Sequence, residues 1–153
     1  MRLGSWLLLP CLFVMSTAVS AQKEESTSGF IHLPATDIQF GAVPEVAGLG
    51  YAVLSGDPDS AGVYVIRLRI SSGLTFPPHS HDQDRHVTVI SGVWAFGTGD
   101  SGKCDNTTPL TAGAYVMHPK GAVHFDGACG EEPVVVQISG LGPVSTTWVE
   151  QIK

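Results

Sequence analysis

The sequence has little basic charge and almost no cysteine to spare. Eight Lys and Arg stand against 14 Asp and Glu in 153 residues, for a formal net charge of −6 at pH 7. No basic stripe is present to track phosphates, which argues against a nucleic-acid partner. No apolar run approaches the roughly 20 residues of a membrane span. The one markedly apolar stretch, Leu7 to Val14, is short and contains Pro10. It follows Met1-Arg2 and precedes the small residues Val19-Ser20-Ala21, the layout of a secretory signal peptide cleaved before Gln22. Pro10 ahead of Cys11 is not the small residue that lipidation requires. The expected division is therefore a signal peptide over 1–21, a polar flexible leader over 22–29 and one domain over 30–153, with a periplasmic or secreted product that has no membrane anchor. Removing Arg2 with the signal takes the formal net charge to −7.

Only Cys104 and Cys129 then remain. In an oxidising compartment a lone pair of cysteines reads as a disulfide closing a loop of about 25 residues, against the alternative of two unlinked buried thiols.

Helix-period segments and internal repeats are also missing. What is present is 18 glycines and 10 prolines, with short β-patterned runs between them. Strands are predicted at 51–54, 63–70, 86–90, 93–96, 114–117, 122–125, 133–139 and 146–149, separated by turn sequences such as GDPDSAG and GTGDSGK. Eight short strands at this spacing imply an all-β fold, a jelly roll or closed barrel. Within 63–70, Tyr64, Ile66, Leu68 and Ile70 share one face and Arg67 and Arg69 the other.

The residues that carry chemistry form two clusters. In PPHSH, His79 and His81 lie two residues apart on an extended segment, so their imidazoles share a side and can reach one ion. In GAYVMHPKGAVHFDG a strand ends at His118, Pro119-Lys120-Gly121 turns, and the next strand puts His124 and Asp126 on one face. The spacing G-x5-H-x-H from Gly73 to His81, then Gly92, then G-x5-P-x-G-x2-H from Gly113 to His124 closely resembles the two-part signature of the cupin superfamily. The likeness covers about three quarters of the chain, in the manner of small exported bacterial cupins.

That resemblance implies a double-stranded β-helix, a jelly-roll barrel with the site inside, often dimeric. It implies His79, His81 and His124 as ligands of one divalent transition metal, Fe, Mn, Zn, Ni or Cu. Dioxygenases, lyases, isomerases and non-enzymatic binders all occur on this fold. The usual fourth ligand is a Glu seven residues before the closing glycine of the first motif. Counting back from Gly92 reaches Arg85, a permanent cation with no lone pair to give. Either Arg85 points inward and binds an anionic small molecule, or a one-residue register shift brings in His86 instead. Asp126 is placed to bridge to Arg85 or to complete the metal shell. Gln137, interrupting an apolar run, is expected to point into the cavity as a catalytic or ligand-holding residue, or else to sit exposed on its strand. These residues suit a metal-dependent, dioxygenase-like enzyme acting on a small anionic or oxygen-rich molecule, or an exported binding module that catalyses nothing.

Overall fold

The computed structural model describes residues 29–150; the expected signal peptide and all but the last residue of the expected leader fall outside them. All the strands lie within the compact unit Leu33–Lys153. In chain order they are β1 (Gly41–Ala42), β2 (Leu49–Ser55), β3 (Gly62–Ile70), β4 (Thr75–His81), β5 (Arg85–Ser91), β6 (Val93–Thr98), β7 (Thr108–Thr111), β8 (Tyr115–His118), β9 (His124–Gly127), β10 (Val134–Gly142) and β11 (Thr146–Trp148). Two short 3-10 turns, at Ala35–Asp37 and Cys104–Asn106, are the only helical pieces among the described residues.

The strands form two antiparallel sheets, one ordered β1-β2-β3-β10-β5-β8 and the other β11-β4-β9-β6-β7. Neither closes, so the expected jelly-roll barrel is corrected to an all-β fold of two open sheets. Closure needs edge strands long enough to sustain a ladder across the seam. Here the edges are β1 with two residues, β11 with three, and β7 and β8 with four each. Strands this short leave few backbone groups to pair.

Alternation decides what fills the space between the sheets. Tyr64, Ile66 and Ile70 of β3, Val87 and Val89 of β5, and Val134, Val136 and Ile138 of β10 are buried in one cluster with Trp94 and Ala128. Each fully buried aliphatic side chain of this kind contributes about 1.5–3 kcal/mol. The chain crosses between sheets at Gly92, which has φ 78° and no room for a side chain: a Cβ there would collide with the Pro133 carbonyl. Cys104 and Cys129 form a disulfide with Cα atoms 5.9 Å apart, joining the second 3-10 turn to the loop after β9.

Candidate metal centre

The strand that carries His79 and His81, like β1 and β7, is one that local sequence disguises. Pro77 and Pro78 have no N–H to give a ladder, and β4 pairs with β9 through a one-residue irregularity that spans them: Phe76 faces Asp126, and the next partners are His79 and His124. The offset brings a histidine from each motif side by side. The two-residue period then places His81 on the same inner face, opposite Thr146 of β11. The turn before β9 is held over the site by Gly121, whose N–H donates to the His81 carbonyl at 2.7 Å, and whose φ of 75° suits glycine.

His79, His81 and His124 are only 6%, 4% and 3% exposed. One ring nitrogen from each lies within 4.8 Å of the others. Their ring centres are 4.3, 5.1 and 5.2 Å apart. Imidazoles bonded at about 2.1 Å to one ion, with angles of 90–110° between them, have ring centres roughly 4.5–5.3 Å apart, so the three rings fit a shared ion with small adjustments.

Tautomers support the same reading. His79 Nδ1 lies 2.7 Å from the Pro77 carbonyl and His124 Nδ1 lies 3.0 Å from the Ala122 carbonyl. A carbonyl accepts only, so both Nδ1 atoms carry the proton and both Nε2 atoms keep a lone pair. This is the arrangement that fixes a metal-binding imidazole. The Nε2 of His124 is buried without a partner. His81 Nε2 accepts from Arg85 Nη1 at 2.7 Å, which directs its Nδ1 proton to Thr146 Oγ1 at 3.1 Å.

Burial holds these rings neutral. It lowers the pKa of His79; it takes His124 down to about 4, and, with the Arg85 charge beside it, His81 down to about 3. Neutral imidazole is the form that binds a metal.

The remaining sequence candidates separate cleanly. Arg85 shares its parity with the buried Val87 and Val89, so it faces inward. His86 faces outward, bonded to Tyr115 Oη at 2.7 Å. It lines a cleft of about 420 Å³ with Asp84, Lys120 and Leu141 that does not include the three histidines. The expected bridge between Asp126 and Arg85 does not form. Asp126 is buried on the inner face, where its Oδ1 accepts from Trp94 Nε1 at 3.2 Å and its Oδ2 lies 4.0 Å from His79 Nε2. Burial raises its pKa to about 6, against the opposing pull of the Trp94 N–H and Arg85. Gln137 does not point into the site. Val136 and Ile138 on either side of it take the inner face, and Gln137 accepts from Arg67 Nε at 3.1 Å on the outer one.

Three residues at the site escaped the sequence reading. Thr146 and Trp148 reach it from β11, with the Trp148 ring 5.0 Å from that of His79. His118 ends β8, 4% exposed, with its ring centre 3.9 Å from that of His124. Burial, with His124 and Arg85 nearby, keeps His118 far below the usual histidine range. Its signal was its place directly across the ladder from Arg85.

Comparison with known proteins agrees with this architecture. Residues 29–145 match the family described as the ChrR Cupin-like domain. A 76-residue stretch, half of this chain, is 32% identical to a gentisate 1,2-dioxygenase of a Ralstonia species, and spans 20% of that protein. Among solved structures, the polyketide cyclase RemF of Streptomyces resistomycificus superposes with a TM-score of 0.62 at 19% identity, covering 78% of this chain and 87% of the other. A sugar phosphate isomerase of the cupin superfamily from Silicibacter pomeroyi gives 0.62 at 17% identity, covering 78% and 82%.

Proposed function

The chain belongs to the ChrR cupin-like domain family, and from that premise we propose a metal-dependent cupin enzyme, related in chemistry to the dioxygenases, that acts on a small anionic or oxygen-rich molecule. The observation that carries the reading is the convergence of His79, His81 and His124 with two tautomers set by backbone carbonyls. The three imidazoles would hold one divalent transition metal. Such an ion, with positions left open by three ligands, supplies Lewis acidity and activation of a bound small molecule.

The residues around it define what can approach. Three neutral imidazoles bring no negative charge, and Arg85 adds a positive one. A divalent ion held by the three imidazoles would add its charge to that of Arg85, and the pair would favour an anionic ligand. Arg85 is the anchor for that negative end, as a fixed fork of donors. His79 is oriented from behind by the Pro77 carbonyl, while Asp126, held by Trp94, lies on the metal-facing side with Oδ2 4.0 Å from His79 Nε2.

One contact favours a second reading, a binding module with no metal. Arg85 Nη1 takes up the His81 Nε2 lone pair, the same lone pair a metal needs. Titration of chelated protein with Co²⁺, Zn²⁺, Mn²⁺, Fe²⁺, Ni²⁺ and Cu²⁺ decides between them: one tight site supports the enzyme reading, and no uptake of any ion supports the binding module.

Export belongs to the same proposal. The Cys104–Cys129 disulfide suits an oxidising compartment, and cleavage after Ala21 is tested by the intact mass of protein recovered from its native source.

A further inference from the structure

Three buried polar atoms next to the histidine cluster have no partner: Arg85 Nε, and both Nδ1 and Nε2 of His118. They are neighbours by construction, because Arg85 of β5 and His118 of β8 are direct partners across the antiparallel ladder and both side chains face inward. A buried donor without an acceptor costs free energy. Two such donors side by side point to an acceptor that the chain itself does not supply.

His118 does not fit the metal shell. Its ring lies 3.9 Å from that of His124 and 6.2 Å from that of His81, parallel to the latter within 3°, and it stands outside the set of nitrogens that share a 4.8 Å neighbourhood. Its orientation is set instead by aromatic packing, stacked 5.2 Å from Phe96 and 5.9 Å from Trp94.

We propose that Arg85 and His118 form a two-donor subsite for a carboxylate, and that the organic ligand of this protein is held through that group beside the three histidines. A neutral imidazole offers one N–H, and Arg85 Nε offers another. A carboxylate accepts both, and the charge-assisted bonds are stronger than neutral ones. Arg85 is partly exposed as a residue, but its Nε and the His118 nitrogens are buried, so entry of a ligand requires the Arg85 side chain to swing aside. The proposal deepens the functional reading above and takes from it the ion beside the subsite. The pair itself consists of protein atoms and can be tested with the metal absent.

The test uses carboxyl-labelled acetate as probe. Its binding is followed by NMR to metal-free protein and to protein titrated with Co²⁺, for the native chain and for H118A, H118Q and R85Q. Acetate should bind the native chain in both forms. H118A should weaken it about tenfold or more, and H118Q less, because the amide keeps a donor. Cobalt affinity and the visible spectrum of the cobalt form should stay within about threefold of native in H118A and H118Q. Equal acetate affinity in the native chain and H118A overturns the proposal, as does absence of acetate binding in both native forms. A tenfold or greater loss of cobalt affinity in both variants also overturns it, by making His118 a metal ligand. If the native chain takes up no Co²⁺ while H118A still loses acetate, the metal reading fails and the subsite stands.

Discussion

Acidification of the metal-free protein from pH 7 to pH 5 should remove about 4 kcal/mol of its stability. His81 and His124 are buried neutral, with pKa values near 3 and 4, and His118 lies lower still. In the unfolded chain each returns to about 6.5. Below that value the unfolded state takes up protons that the folded state refuses, so the stability is present above about pH 6.5 and is lost progressively as pH falls through the folded values of about 4 for His124 and about 3 for His81. At pH 5 each of the three costs about 2 kcal/mol, at about 1.4 kcal/mol per pH unit. Asp126 works the other way. Its folded pKa of about 6 lies above its unfolded value, so the folded state gains a proton first, and this returns about 1 kcal/mol at pH 5. His79 is lowered too and adds to the loss. The assay is urea unfolding followed by tryptophan fluorescence, with EDTA throughout, at pH 7, 6 and 5. A change below about 1 kcal/mol across that range would mean that the histidines are not held neutral and apart from water, and the site as described would be wrong.

Arg85→Glu should tighten metal binding by about 10- to 100-fold, because a carboxylate replaces a cation and the His81 lone pair is freed; calorimetry on chelated protein measures it, and unchanged affinity would place residue 85 outside the site. The same variant should lose affinity for acetate, since a like charge replaces the donor fork. Replacing Cys104 and Cys129 together by serine should cost about 3 kcal/mol, from a 25-residue separation, read as a lower urea midpoint with a slope equal to or steeper than native, since the unfolded chain is freed to expand. With Zn²⁺ at about 1,000 times its dissociation constant, the native chain should gain about 4 kcal/mol at pH 7, and His124→Ala none of it.

The two motifs made the three histidines legible because their spacing translates directly into geometry: a period of two for His79 and His81, and a tight turn that returns the chain at His124. Arg85 was legible as an inward candidate with His86 as its alternative, and the burial of Val87 and Val89 on β5 decides between them. Other features depended on partners that a local pattern does not name. Pro77 and Pro78 hide β4, since prolines argue against a paired strand until a ladder irregularity is seen to accommodate them. Gln137 reads as a polar intruder among valines, but its partner is Arg67, seventy residues away on the neighbouring strand. Asp126 turns to Trp94 rather than to Arg85 because β9 pairs with β6, not with β5. His118 looks like a strand end, and only the β5–β8 ladder sets it beside Arg85. Strand count suggested closure, while edge lengths, which come from pairing, left both sheets open.

The most direct test of the three-histidine centre is the metal content per chain, by mass spectrometry, of protein dialysed against Zn²⁺ or Co²⁺ and then freed of excess ion, for the native chain and His124→Ala in parallel. The account predicts one ion per native chain and none in the variant; no ion in either, or equal amounts in both, would contradict it.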